Sequence, residues 1–109
     1  NVAHNDIDIC NPKLKTNKVP GFFNNEREDF SKLLDENLLV DIYRCKNLNL
    51  QKSTYWSNFL KQPRSDLNGW RIDYFLTCSD FYNNIKDTQI LDYIIGSDHC
   101  PLLLEIDNV

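Results

Sequence analysis

The chain has 109 residues, enough for one small domain, and its 41% of hydrophobic residues could fill a modest core. The net charge of −4 excludes a protein that binds nucleic acid mainly through a broad basic face. No apolar run is long enough to span a bilayer, which predicts a chain with no membrane partner.

The four cysteines are far apart and form no CxxC pair, which argues against a zinc ribbon or a redox motif. Disulfides in a secreted domain remain an alternative, although a reducing compartment is the default. Two local groups of basic residues are the only candidates for contacts with nucleic acid, and solvated loop residues are the simpler interpretation of each. They are Lys13, Lys15 and Lys18, and then Lys61, Arg64 and Arg71.

Residues 1–13 form a polar segment that predicts no continuous helix or strand. Asn1 and Asn11 are candidates for holding an attacking water or a phosphate oxygen, because an amide both donates and accepts hydrogen bonds. Asparagine more often marks a turn, however. His4 with Asp6 and Asp8 could be drawn as a metal site, but such spacing in a loop more often means solvated side chains.

Residues 24–37 are predicted to form one amphipathic helix. Polar residues flank the segment, acids occupy its first turn, and Phe30, Leu33 and Leu34 recur at helical spacing. Four segments rich in aromatic and branched residues are predicted strands: residues 54–59, 70–76, 90–95 and 102–106. One helix over several strands predicts an α/β chain with a bare sheet face, as expected for half of a larger core.

The most informative segment is the turn Gly96 to Pro101, which places Asp98 beside His99 between two predicted strands. A carboxylate suits Mg²⁺ or Mn²⁺, and an imidazole can transfer protons or donate to a phosphate oxygen. A plain turn with a capping aspartate is the alternative.

Strand alternation places Arg71 and Asp73 on the polar face of residues 70–76. A histidine that acts on a phosphate needs a second group to fix its tautomer, and Asp73 could orient His99 in this way. The alternative is a structural ion pair of Asp73 with Arg71 or Lys61.

Three aromatic residues could stack on bases or pack in the core. Tyr55, Trp56 and Trp70 would suit a distorted duplex, but aromatic residues on strands more often lie inside. Core packing is favoured for Trp56, and both readings stay open for Trp70.

Six blocks run in order through nearly the whole chain: NVAHNDIDICNPK, PGFFNNER, LLVDIYR, TYWS, NGWRIDYFL and GSDHCPLLLEI. Together they resemble the exonuclease III and abasic-site endonuclease family of the endonuclease/exonuclease/phosphatase superfold. GWRIDYFL and NVAHNDIDI are the specific blocks, whereas SDHxP alone would admit any member of the superfold. The resemblance implies half of a four-layer α/β sandwich, with two mainly antiparallel sheets flanked by helices in the intact protein. Residues 1–109 would be the C-terminal part of one domain whose N-terminal half is absent.

The family pattern also implies catalytic roles for matching residues. By motif, His99 faces the phosphate, Asp73 orients it, Asp98 lies at the metal site and Asn1 helps to position the attacking water. The implied ion is Mg²⁺ or Mn²⁺.

The pattern implies substrate-binding residues as well. Trp70 and Tyr55 resemble the walls of a pocket for the abasic sugar, and Asn11, Lys13 and Arg71 resemble contacts to the substrate strand or their supports.

The chain departs from the family pattern in several places. The Asp that precedes the family's Asn by two residues is absent, as are its upstream metal-binding Glu, its upstream Asn and Asp, and its active-site Tyr. Phe23 stands where a helix-capping Thr is usual, which predicts capping by Asn24 or Asn25. Asn58 replaces an aromatic or similar residue, and the stretch from there to Asn68 is one residue longer.

The implied function is DNA repair by metal-dependent hydrolysis of the DNA backbone 5′ to an abasic site, with 3′ exonuclease or 3′ phosphodiesterase action as a further expectation. The implied partners are DNA containing abasic sites and the N-terminal half. The alternatives are a non-catalytic half that binds nucleic acid or its missing half, and another phosphodiesterase of the superfold. The compartment stays undetermined among nucleus, mitochondrion and plastid. Residues 1–109 alone are predicted to be inactive.

Overall fold

A computed structural model describes residues 1–15, 17–57, 64–65 and 68–107. These residues form two α-helices, α1 and α2, and four strands, β1 to β4, joined by short 3-10 helices. In chain order the elements are α1 (Asn24–Glu36), β1 (Leu39–Asp41), α2 (Ile42–Lys46), β2 (Leu76–Cys78), β3 (Ile85–Ile90) and β4 (Leu102–Ile106). Within these ranges, no helix combines the length and the apolar character needed to cross a bilayer.

The described strands form two antiparallel pairs. β1 pairs with β2, with Leu39 opposite Cys78, and β3 pairs with β4, with Ile90 opposite Leu102. The predicted α/β class with antiparallel sheets is confirmed.

The predicted helix is confirmed, but its cap is not. α1 already begins at Asn24, so Asn24 and Asn25 lie inside the helix and the N-cap residue is Phe23. Phenylalanine has no acceptor, and Glu26 satisfies the helix start from inside: its Oε1 accepts from the backbone N–H of Gly21 at 2.9 Å and of Phe23 at 3.1 Å. This is half of a capping box.

Among the predicted strands that lie wholly within the described residues, β4 alone has the expected bounds. The prediction for residues 90–95 is wrong, because β3 ends at Ile90 and the chain then turns, leaving Tyr93 and Ile95 exposed. Two residues of the predicted strand 54–59 lie outside the described part.

Within the predicted strand 70–76, Leu76 is the first residue of β2, and the preceding residues form no ladder: Trp70 makes isolated bridges with Ile9 and with Tyr55. The reason is that the next backbone N–H groups bind elsewhere. That of Arg71 donates to the Asp8 carbonyl, and that of Ile72 donates to Thr54 Oγ1.

A buried ion cluster ties residues 70–76 to the first half of the chain. Arg71 is fully buried, and its Nε donates to Asp8 Oδ1 at 2.7 Å while its Nη1 donates to Asp41 Oδ1 at 2.9 Å. Arg44 Nη2 also donates to Asp8 Oδ1, at 2.6 Å. A direct contact of Arg71 with the substrate strand does not fit this burial, since its donors face two buried carboxylates, whereas its alternative role as a support of such contacts stays a prediction. The carboxylate of Asp8 binds Arg44 and Arg71. It is therefore not available to a metal ion, and the metal site considered for His4, Asp6 and Asp8 is not supported.

This cluster makes the unfolding free energy depend on pH. Burial alone would raise the pKa of Asp8, but the hydrogen bonds and charge of Arg71, together with Arg44, hold this pKa below its usual value. A carboxylate with a depressed folded-state pKa stabilises the fold above its unfolded pKa, and this contribution is lost as pH falls through the folded value. We expect the unfolding free energy to fall in acid below about pH 4.

Urea denaturation of the full-length protein across this range measures the effect. The decrease in unfolding free energy as the pH falls should be smaller in Asp8→Asn than in the exposed control Asp6→Asn. Equal slopes in the two variants would contradict the assignment of the acid sensitivity to Asp8.

Candidate active site

Asp73 and His99 meet in the folded chain although they are far apart in sequence. His99 Nδ1 lies 2.8 Å from Asp73 Oδ2, and both side chains are about one third exposed, at 36% and 29%. The predicted hydrogen bond between them is confirmed. The alternative in which Asp73 pairs with Arg71 is excluded, because Arg71 binds Asp8 and Asp41, whereas Lys61 lies outside the described residues.

Thr54 joins the two segments that carry this pair. Its Oγ1 accepts from the backbone N–H groups of Ile72 at 3.0 Å and Asp73 at 3.2 Å, and its carbonyl accepts from Cys100 N–H at 2.8 Å. Thr54 is fully buried. Sequence reasoning missed it, because a threonine beside aromatic residues signals only a strand.

Asn1 lies beside the pair. Its Nδ2 donates to the Ile72 carbonyl at 3.0 Å and approaches Asp73 Oδ1 at 3.4 Å. Tyr74 anchors this terminal segment, since its hydroxyl donates to the Val2 carbonyl and accepts from His4 N–H. The structure therefore brings together three of the predicted catalytic residues: Asn1, Asp73 and His99.

A cavity of about 660 Å³ opens beside this group. Five predicted residues line it: Asn1, Asn11, Tyr55, Trp70 and His99. Much of the remaining lining is apolar and includes Leu14, Val19, Pro20 and Ile72. This volume falls within the usual range for small-molecule sites, and an apolar wall with a few polar groups is their usual composition.

Gly21 shapes one wall of the cavity and was not predicted as a site residue. It adopts φ of +88°, and a Cβ atom there would lie 3.2 Å from the Trp70 ring and 3.3 Å from the Asn1 carbonyl oxygen. A side chain at this position would be strained and would press on both residues. The only sequence signal was its place after Pro20, which indicates a turn.

Burial distinguishes which of the predicted aromatic residues pack in the core and which line the cavity. Trp56 is 8% exposed and belongs to the core, as favoured. Tyr55 and Trp70 are half-buried and line the cavity instead. Tyr55 also forms bridges to both Trp70 and His99, which places one cavity wall against the histidine.

Two further predicted residues lie outside the cavity lining. Lys13 is exposed, and its backbone N–H donates to Asn11 Oδ1 at 3.0 Å. Asp98 is half-buried, its carboxylate accepts from Ser97 Oγ at 3.3 Å, and its backbone carbonyl accepts from Trp56 N–H at 2.9 Å. Their predicted roles stay predictions.

The donor set does not by itself fit a divalent ion. Among residues 1–15, 17–57, 64–65 and 68–107, no group of three or more His, Cys, Asp or Glu side chains could hold a metal. Mg²⁺ gives up its hydration reluctantly and is usually bound through one or two carboxylates together with substrate phosphates. Asp98 supplies one carboxylate, which is insufficient as a site by itself.

No protein-family model matches the chain. An exodeoxyribonuclease from Bacillus subtilis is 38% identical over 107 residues, which cover 98% of this chain and 42% of the relative. A DNA-(apurinic or apyrimidinic site) endonuclease from Dictyostelium discoideum is 40% identical over 98% of this chain and 29% of the relative. The chain thus spans less than half the length of the curated relatives it matches.

Comparison with solved structures gives the same resemblance as the sequence relatives. The crystal structure of an AP endonuclease from Leishmania major superposes with a TM-score of 0.89 at 26% identity, covering 99% of this chain and 33% of that one. Relatives and structure agree with the resemblance carried by the sequence blocks. Over nearly its whole length, this chain is homologous to part of the exodeoxyribonuclease and AP endonuclease family of DNA hydrolases.

Proposed function

We propose that this chain carries catalytic residues of a DNA-repair phosphodiesterase that hydrolyses the DNA backbone 5′ to an abasic site. Action on 3′ ends, as an exonuclease or phosphodiesterase, is a secondary activity in this proposal. The observation that carries it is the hydrogen bond between Asp73 and His99 at a cavity beside Asn1. Homology to exodeoxyribonucleases and AP endonucleases supports it.

His99 and Asp73 act as a unit in this proposal. Asp73 accepts from His99 Nδ1–H, which directs Nε2 of the ring to the phosphate and stabilises the charged imidazole. A protonated ring then donates to a phosphate oxygen as negative charge develops in the transition state. Asn1 holds the attacking water through its side-chain amide, beside the carboxylate of Asp73.

The cavity receives the sugar that lacks a base. Tyr55 and Trp70 form walls too apolar to replace the hydrogen bonds of a nucleobase, whereas a bare deoxyribose needs few. Asn11 lines the cavity and Lys13, two residues later, is exposed, so both are available to the substrate strand.

Asp98 contributes one ligand to a Mg²⁺ or Mn²⁺ site in this proposal, and further ligands come from protein outside residues 1–109. When bound, such an ion would neutralise charge on the phosphate. Residues 1–109 are then the C-terminal part of one domain, and the N-terminal half is their partner.

Product analysis tests the proposed reaction in the full-length protein. The rate of hydrolysis should be highest on a duplex with one abasic site and lower on a duplex with one 3′-phosphate end. It should be lowest on a duplex with no lesion. Cleavage 5′ to the lesion leaves a 3′-hydroxyl end, and cleavage only on its 3′ side would contradict the proposal.

Residues 1–109 by themselves should show no measurable metal-dependent cleavage of an abasic duplex. One carboxylate holds Mg²⁺ weakly, so residues 1–109 would lack the ion that neutralises charge on the phosphate. The assay uses the purified fragment with Mg²⁺ or Mn²⁺, a chelator control, and the full-length protein as the positive control. Chelator-sensitive turnover by a monodisperse fragment would show that a complete metal site lies within it.

A further inference from the structure

The loop that carries the catalytic histidine lies outside the regular strands. Residues 92–99, which we call the site loop, follow the end of β3 at Ile90 and precede β4, which begins at Leu102. Carbonyl groups in such a segment have no ladder partners and must find donors elsewhere. His99 lies at the end of the site loop, so the position of its ring depends on how the loop is held.

Arg64 binds four carbonyl groups of the site loop. Its Nη1 donates to the carbonyls of Asp92 at 2.9 Å and Ile94 at 2.6 Å. Its Nη2 donates to those of Ser97 at 2.8 Å and His99 at 3.3 Å. The two terminal nitrogens of a guanidinium carry four N–H groups, so donors and acceptors match in number.

The guanidinium is itself held in place. It lies 4.7 Å from the ring centroid of Trp56, a stacked arrangement favoured by the charge of arginine. The same tryptophan donates from its backbone N–H to the carbonyl of Asp98 at 2.9 Å and from its indole N–H to the carbonyl of Ser65 at 3.2 Å. Trp56 and Arg64 thus hold both ends of the site loop against the core.

A second contact would survive the loss of Arg64. Lys52 Nζ lies 2.9 Å from Asp92 Oδ2, at the start of the loop and away from His99. Without Arg64, Lys52 at the start of the loop and the Trp56 N–H on the Asp98 carbonyl still hold the loop, while the carbonyls of Ser97 and His99 lose the donor that Arg64 supplies. The expected result is a displaced histidine in a folded protein.

We propose that Arg64 is a positioning residue for catalysis, which sets the distance and orientation of His99 relative to Asp73 through the backbone of the site loop. The early expectation that Arg64 belongs to a basic group for nucleic acid is replaced, because its guanidinium binds four protein carbonyls. This inference rests on the proposed function for its catalytic consequence, but its structural part does not.

Arg64→Lys in the full-length protein is the decisive variant, with Arg27→Lys as its matched control. Lysine keeps the charge but offers one nitrogen, which cannot reach four carbonyls in a planar fork. Arg27 also stacks on an aromatic ring, that of Phe22 at 4.1 Å, and donates to Asn24 Oδ1 at 2.7 Å, outside the site loop.

We expect kcat on an abasic duplex to fall by roughly 10- to 100-fold in Arg64→Lys, because displacement of a reacting group by about 1 Å has effects of this size. KM should change far less, since Arg64 touches no substrate in this proposal. Arg27→Lys should keep kcat close to that of the wild type.

A second readout is independent of activity. In protein labelled with ¹⁵N-histidine, the His99 Nδ1 proton bonded to Asp73 should exchange faster with water in Arg64→Lys than in Arg27→Lys. A lower Tm with unchanged kcat and an unchanged His99 signal would overturn the proposal. If wild-type protein fails to cut the abasic duplex, the proposed function fails, whereas the His99 signal still decides the role of Arg64.

Discussion

His99→Ala is expected to lower the rate of abasic-site cleavage by roughly 10²- to 10⁴-fold, the usual loss when a positioned proton donor or acceptor is removed. His99 combines a fixed Nδ1, bound to Asp73 Oδ2 at 2.8 Å, with a place in the wall of the cavity. Alanine removes the imidazole and leaves both Asp73 and the cavity in place.

His4→Ala is the matched control in the full-length protein. His4 is half-buried and contacts Ser31 Oγ at 2.7 Å, away from the catalytic pair. Initial rates on an abasic duplex with Mg²⁺ measure the effect, and Tm values confirm that both variants fold. A His99→Ala enzyme within about threefold of the wild type, far less than a general acid contributes, would remove His99 from the site.

A double-mutant cycle tests whether Asp73 acts through His99. Asp73→Asn alone should reduce the rate strongly, because the amide no longer stabilises the charged ring. In the His99→Ala background the same change should cost little, since residues that act as a unit are not additive. If Asp73→Asn lowers the rate by the same factor in the wild type and in His99→Ala, Asp73 acts independently of His99.

Arg71→Met is expected to destabilise the protein by about 3 to 5 kcal/mol, as when one partner of a buried ion pair is removed. The arginine is fully buried and binds both Asp8 and Asp41, and methionine would leave two carboxylates inside with fewer donors. The total unfolding free energy of a typical domain is only about 5 to 15 kcal/mol. The variant should therefore unfold at much lower urea concentration or fail to accumulate.

Arg27→Met is the control for this change. Arg27 retains some exposure, and its nearest carboxylate, Asp6 Oδ1, lies 3.6 Å away on an exposed side chain. We expect a loss of about 1 kcal/mol or less from such a pair. An Arg71→Met protein that keeps its stability but shows a raised KM would instead restore the early prediction of a substrate contact.

The sequence by itself was sufficient to predict the contact between Asp73 and His99 and the resemblance to the family. The pairing of Asp73 with His99 followed from residue types that need each other, and the structure confirms it at 2.8 Å. α1 was found because its apolar residues recur with the period of a helix, a local property that survives folding. The specific sequence blocks carried the family resemblance, which the relatives and the superposed structure confirm.

Only the tertiary structure decided the roles of residues whose partners are distant in sequence. Arg71 lies on the predicted polar face of its stretch, yet it is buried because Asp8 and Asp41 supply two carboxylates inside the fold. Arg64 and Thr54 bind backbone groups, and backbone partners leave no trace in residue type. Periodicity reports which side of a segment is apolar, whereas these contacts depend on which segments meet, and that is set by the packing of the whole chain.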